Sequence, residues 1–296
     1  MNDSNANNPD GNVIFSGTKE VAENLKFNEA GLQEWFGDSI SSAGKILKIA
    51  QFKGGQSNPT YKITTEKQQF VLRRKPPGIL LPSAHAVDRE YKVMTALQQT
   101  EVPVPKTYGL CEDEDVIGTP FFVMDFLDGN IYWDLLLGDK SPAERSDIYA
   151  SKNNVIAQLH MVDYESVGLS DYGKPGNYIA RQVSRWTKQY IASETQDIPA
   201  MNKLIDWLPS NIPDEDETSI VHGDYRLDNM VFNAANNVMG VLDWELSTLG
   251  HPIADFNYHC ISWRNIPDLA DKKFCQENGI PTEKEYRNMY SEITGR

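Results

Sequence analysis

One polar loop constrains this chain more than any other segment. Val221-His222-Gly223-Asp224-Tyr225-Arg226-Leu227-Asp228-Asn229 follows a short apolar run, Ser219–Val221, and a second polar cluster ends the run that comes next, Val241-Leu242-Asp243-Trp244-Glu245. Between them Met230–Phe232 and Val238–Leu242 flank the turn residues Asn233–Asn237, the pattern of a small hairpin. Asn229 stands five residues after Asp224, and Asp243 nineteen after it. Asp224 sets a carboxylate at the mouth of the loop. Asn229 and Asp243, on either side of the hairpin, are placed to converge as the hard oxygen ligands that Mg2+ prefers. Phosphoryl transfer asks for this set: a carboxylate that orients a hydroxyl, oxygen ligands for the metal, and donors for the phosphates.

The rest of the chain changes character along its length. Residues 1–12 are polar without hydrophobic period, and 1–27 is expected to be a disordered or loosely ordered tail. Asn28 caps a short helix to Phe36. Lys45–Phe52 and Thr60–Thr65 alternate apolar and polar residues around the turn chemistry of Lys53–Pro59, and Gln69–Arg73 gives a third strand. Ser83 is placed to cap a helix to about Gln98, with Val87, Tyr91, Met94 and Leu97 at helical spacing. Val102-Pro-Val-Pro105 is an extended connector, and Phe121–Phe126 a buried strand. Beyond it, Asp147–His160, Asn177–Ser193 and Ala200–Leu208 read as helices. The order is a strand-rich first third, a hinge and a helical remainder.

Twenty-eight Lys and Arg against 42 Asp and Glu leave a formal charge of −14. That balance argues against a protein that coats nucleic acid or anionic lipid. No apolar run approaches the roughly 18 residues of a membrane span, and the Asn/Asp-rich start lacks the features of a signal peptide. Cys111, Cys260 and Cys275 are few, odd in number and scattered, which fits reduced thiols in a cytosol. The expectation is a cytoplasmic protein with no membrane or nucleic-acid partner.

The His-Gly-Asp-x-x-x-x-Asn run with its downstream Leu-Asp-Trp resembles the aminoglycoside phosphotransferase family, relatives of protein kinases and choline kinases. The resemblance reaches from about Ile46 to Arg296. It implies an α+β, two-lobed protein-kinase-like fold: a small antiparallel-sheet N-lobe over 28–123, a hinge at 124–129 and a mainly helical C-lobe over 130–296. It implies ATP and Mg2+ between the lobes, with the γ-phosphoryl passed to the hydroxyl of a small-molecule acceptor. In those terms Asp224 is the catalytic residue, and Asn229 and Asp243 hold the metal. Phe52-Lys-Gly54-Gly55-Gln56-Ser57-Asn58 looks like the nucleotide loop, whose glycines let backbone N–H groups approach phosphates. Arg73 takes the phosphate-contacting position, Glu90 the acid that pairs with it, and Met124-Asp125-Phe126 the hinge that meets adenine. His222 and Asp255 buttress the catalytic loop. Tyr225, Arg226, Trp244 and Glu245 are the candidates for the acceptor side.

Two departures qualify that picture. The family's usual lysine is Arg73 here, a planar fork that reaches phosphate oxygens differently. Val71-Leu-Arg73 followed by Pro76-Pro-Gly78 is similar to the branch associated with acyl-CoA dehydrogenases. That branch implies a hydroxylated acyl or related metabolite as acceptor rather than an antibiotic, in an acyl-CoA dehydrogenase-linked pathway. Relatives also continue with further helices after the segment matched by Tyr286–Arg296, so a C-terminally truncated copy is expected.

Blander readings stand beside these. Asn229 and Asp243 are also turn-formers, and Gly54-Gly55 would make an ordinary hairpin turn. The stripe Ile179, Val183, Trp186 and Tyr190 reads as core. His251 and His259 with His222 lack the tight spacing of a zinc site. Two rival functions follow: a non-catalytic, pseudokinase-like nucleotide-binding module, and a metal-dependent hydrolase built on the histidines.

Overall fold

The computed structural model describes residues 17–54, 57–78, 85–214 and 216–296. Six strands form one antiparallel sheet in the order β1-β2-β3-β4-β6-β5. They are β1 Thr18–Lys19, β2 Ile46–Phe52, β3 Thr60–Thr65, β4 Gln69–Arg74, β5 Thr107–Cys111 and β6 Phe121–Asp125. Side-chain alternation splits this sheet between two cores. Tyr61, Ile63, Phe70, Leu72, Phe121 and Val123 pack with Leu32 and Phe36 of helix α1, Glu29–Ser39. Val71, Phe122 and Met124 turn the other way, onto Val87, Val93, Met94 and Leu97 of α2, Val87–Leu97. Burial on both faces explains why β4 and β6 read as continuous apolar runs.

The second core continues into a helical lobe. Its central helix α3, Pro142–Met161, opens with a capping box of Ser141 and Glu144. After it come α4 Tyr178–Ser193, α5 Pro199–Trp207, α6 Pro252–Cys260, α7 Lys272–Asn278 and α8 Glu283–Thr294. Asn153 of α3 donates to the carbonyl of Tyr286 at 2.8 Å, and His160 meets the Tyr290 hydroxyl at 2.7 Å, fastening α3 to α8. Two small ribbons complete the lobe. β7 Ser219–Val221 pairs with β10 Thr248–Gly250, and β8 Met230–Phe232 with β9 Val238–Val241. The α+β, two-lobed protein-kinase-like fold is therefore present.

Several expectations need correction. Part of the expected tail of 1–27 is ordered: Thr18 and Lys19 pair with Phe52 and Gln51, and the Tyr61 hydroxyl donates to the Leu25 carbonyl at 3.0 Å. A two-residue edge strand carries too little pattern to be read. Residues 1–16, Gly55, Gln56 and the expected cap Ser83 lie outside the described residues. β5 follows the prolines unannounced. Helix α4 buries none of its residues, and Trp186 is 59% exposed, so its apolar stripe is not core. Helical period shows which residues share a face, not what covers them. Among the described residues no helix is long and apolar enough to cross a membrane.

Candidate active site between the lobes

A cavity of about 400 Å³ lies where the lobes meet, lined from above by Phe52, Gly54, Lys62 and Arg73, behind by Met124, Asp125 and Phe126, and below by Asp228, Asn229 and Asp243. Its size suits a small-molecule ligand.

The floor is built by the loop after β7. Gly223 sits at φ +82°, and a Cβ there would lie 2.8 Å from the Leu246 carbonyl oxygen, so only glycine fits the bend. Asp255 of α6 accepts the N–H groups of His222 at 2.8 Å and Gly223 at 2.9 Å, and meets His160 Nε2 at 3.2 Å. Burial opposes its ionisation, but His160 and those amides hold its carboxyl below the usual range. His222 Nδ1 accepts from the Asp224 N–H at 3.2 Å, so Nε2 carries the proton and donates to the Leu242 carbonyl at 2.9 Å. Burial pushes its pKa down, which suits a neutral strut. Asn229 Nδ2 donates to the Asp224 carbonyl at 2.9 Å and to its carboxylate at 3.1 Å. Across the hairpin, the Leu242 N–H donates to the Asn229 carbonyl at 2.8 Å, which brings Asp243 beside the loop. Asp243 is left-handed at φ +63°, a conformation tolerated by Asp and concentrated at functional sites.

The roof supplies the charge. Arg73 on β4 donates through Nε to Glu90 at 3.0 Å and through Nη2 to Asp243 at 2.5 Å, with Glu245 at 3.7 Å from the same nitrogen. Burial works against the guanidinium, but the three carboxylates hold its pKa above the ordinary value. One guanidinium cannot satisfy three acids. Burial, with help from Asp243 and Glu245, pushes Glu90 up to about 7 despite Arg73. Asn58 is fully buried; its Nδ2 donates to Glu90 at 3.0 Å and Glu245 at 3.3 Å. Its Oδ1 lies 3.1 Å from His85 Nδ1.

Of the expected site residues, Gly54, Arg73, Glu90, Met124, Asp125, Phe126, Asn229 and Asp243 line this cavity, Asp224 reaches it through Asn229, and four others take a different place. Asn58 faces the acids rather than the cavity. Tyr225 and Trp244 are fully buried: the Tyr225 hydroxyl donates to the Lys152 carbonyl at 2.8 Å and Trp244 Nε1 to the Val241 carbonyl at 3.0 Å. Neither ring has surface to offer an acceptor. Glu245 turns toward Arg73 instead. Arg226 stands beside the loop acids, with Nε 3.1 Å from Asp224 and Nη2 3.0 Å from Asp228. Asp228 and Lys62, which line the cavity, were not singled out, although Asp228 stands inside the loop motif. The structural role of His160 left no signal at the end of a helix that buries polar as well as apolar residues. His259, with burial driving its pKa well down, bonds the Tyr225 carbonyl at 3.0 Å and the Tyr286 hydroxyl at 2.8 Å, which commits it to the core rather than to a zinc site.

The donor chemistry fits a hard divalent cation. Asn229 commits its amide nitrogen to Asp224, which leaves its oxygen as the atom a cation would take, and Asp243 adds a carboxylate whose Oδ1 is paired with Arg73.

A family model of the phosphotransferase enzyme (APH) family matches residues 48–289. Acyl-CoA dehydrogenase family member 10 of Mus musculus is 48% identical over 250 residues, covering 82% of this chain and 23% of that protein. Acyl-CoA dehydrogenase family member 11 of Homo sapiens is 43% identical over 292 residues, 95% of this chain and 37% of that protein. The chain thus spans well under half the length of these relatives. The crystal structure of a candidate aminoglycoside phosphotransferase from Ralstonia eutropha superposes with a TM-score of 0.84 at 51% identity, over 92% of this chain and 82% of that one. Aminoglycoside phosphotransferase APH(4)-Ia, at 15% identity and a TM-score of 0.59 over 91% of this chain and 85% of that one, shares the fold. With the catalytic-loop motif, the interlobe cavity and a match over most of its length, the chain belongs to the phosphotransferase enzyme (APH) family.

Proposed function

We propose that this chain is an ATP- and Mg2+-dependent small-molecule kinase that moves the γ-phosphoryl group to an acceptor hydroxyl. The observation that carries the reading is the meeting of Arg73, Asn229 and Asp243 in one interlobe cavity, with Asp224 tied to Asn229. Asp224 orients the attacking hydroxyl and takes its proton. Asn229 and Asp243 would hold Mg2+, which neutralises phosphate charge when bound. Arg73, placed by Glu90, contacts the phosphates, and Gly54 gives the nucleotide loop close approach. At the hinge, the N–H groups of Asp125 and Phe126 are already spent on the carbonyls of Lys106 and Gln69, so an adenine edge meets the next residue, Leu127.

For the acceptor we favour a hydroxylated acyl or related metabolite, used in an acyl-CoA dehydrogenase-linked pathway in the cytoplasm. Two relatives named as acyl-CoA dehydrogenase family members support this. The test is ATP consumption screened against hydroxy acids, hydroxyacyl-CoA thioesters, amino alcohols and aminoglycosides. Turnover on an acceptor that survives Asp224→Asn at a near-normal rate overturns the assignment.

One observation favours a second reading, a non-catalytic nucleotide-binding module: Arg73 already occupies Asp243. Thermal stabilisation by ATP and Mg2+ with no turnover on any acceptor in the screen would select it.

A further inference from the structure

The acids around Arg73 are one more than the reaction needs. Glu90 places the arginine and Asp243 is assigned to the metal, yet Glu245 stands with them. The three offer carboxylate oxygens all within 4.8 Å of one another, the spacing of a cation site, and the cation already among them is the Arg73 guanidinium. Arg73 Nη2 lies 2.5 Å from Asp243 Oδ1 and 3.7 Å from Glu245 Oε2. Glu245 Oε2 is not adrift. Asn58 Nδ2 donates to it at 3.3 Å while also donating to Glu90 Oε1, the oxygen that receives Arg73 Nε. Asn58 therefore fixes Glu245 at one hydrogen-bond step from a nitrogen now spent on Asp243.

We infer that Glu245 is a second seat for the Arg73 guanidinium: when Asp243 turns to a divalent cation, Nη2 passes from Asp243 to Glu245 while Nε stays on Glu90. The handover keeps the buried guanidinium paired throughout, and an uncompensated buried charge would be expensive. It also gives a reason for arginine at this position. A lysine offers one ammonium point charge, whereas the guanidinium fork can keep Glu90 on one edge, take Glu245 on another and still present N–H groups to phosphate. Glu245 is thus a positioning residue that acts through Arg73.

The inference rests on the nucleotide reading above, and the test separates the two. Binding of AMP-PNP is measured by calorimetry with and without MgCl2 for the wild type and for Glu245→Gln, Arg73→Met and the double variant, with thermal midpoints recorded for each. Glu245→Gln is expected to bind AMP-PNP with Mg2+ about tenfold more weakly, and to match or exceed the wild type without Mg2+. In the Arg73→Met background the same change should cost less than about twofold, because no guanidinium remains to be handed over. A tenfold loss that persists without Arg73 means Glu245 attracts the cation directly, and overturns the handover. Equal binding by the wild type and Glu245→Gln in the presence of Mg2+ overturns it too. Wild-type protein that binds no AMP-PNP in either condition overturns the nucleotide reading, and the handover with it. Should Glu245→Gln unfold, Asn58→Leu removes the donor that seats Glu245 and is expected to lose three- to tenfold with Mg2+; an unchanged affinity there is equally fatal.

Discussion

Asn229 reaches back five residues and donates to both the backbone carbonyl and the carboxylate of Asp224, at 2.9 and 3.1 Å. The residue assigned to the metal thereby sets the direction of the residue assigned to the acceptor hydroxyl. Asn229→Asp keeps an oxygen for a cation but replaces the N–H donor with a second carboxylate facing the first. The expected outcome is a kcat about a hundredfold lower, with the KM for ATP and Mg2+ changed only a few-fold, because orientation is lost while the ligand oxygen remains. Steady-state kinetics on the acceptor found by the screen checks the split. A variant that lost KM and kept kcat would show that Asn229 does not orient Asp224.

Asp255 should behave as a structural anchor. Its carboxylate takes two consecutive amides and His160 in a fully buried setting. Asp255→Ala leaves those donors unpaired, at a cost of about 3–5 kcal/mol. Thermal denaturation at pH 7 should show a large drop in midpoint. The pH dependence has a definite sign. Because the folded carboxyl is held below its unfolded value, its contribution is present above the unfolded pKa and lost as pH falls through the folded one. The gap between wild type and variant should therefore narrow in acid.

Glu90 should show the opposite slope. Its folded pKa is raised to about 7, so its proton is held more tightly folded than unfolded. Its contribution is complete below the unfolded carboxylate pKa and disappears as pH rises through about 7. Between pH 5 and 8 the stability of wild type relative to Glu90→Gln should fall by about 3 kcal/mol. Chemical denaturation at both pH values measures it, and parallel curves would mean that Arg73 keeps Glu90 ionised throughout.

How much of this was legible in the sequence depended on distance along the chain. Asp224, Asn229 and Asp243 were readable because a short loop and a hairpin leave few ways to arrange them. The pairing of Arg73 with Glu90 entered only through resemblance, since nothing local ties a strand residue to a helix residue seventeen positions on. Tyr225, Trp244 and Glu245 were assigned to the acceptor side because they neighbour the right residues. Which side of a loop a side chain takes is decided by packing: two large rings filled the core, and Glu245 found Asn58 across 187 residues. The stripe of α4 failed for a related reason, because amphipathic period says nothing about a partner surface. β1 was too short to carry a pattern.

Gly223 gives the most local test. Its φ of +82° lies in the left-handed region, and a Cβ would stand 2.8 Å from the Leu246 carbonyl and 3.0 Å from the Leu246 Cβ. The backbone conformation alone costs an L-residue about 1–2 kcal/mol. The clash is with a carbonyl, which cannot swing aside like the end of a long side chain, so the loop itself has to shift. Gly223 also donates its N–H to Asp255, and that bond resists the shift from the other side. Gly223→Ala is therefore expected to lose about 2–3 kcal/mol of stability and at least a hundredfold in kcat, since a displacement of about 1 Å at Asp224 is enough for such a loss. Leu246→Gly in the same chain leaves the backbone carbonyl in place and should rescue neither. Recovery of activity in that double variant would locate the conflict in the Leu246 side chain and refute the backbone account.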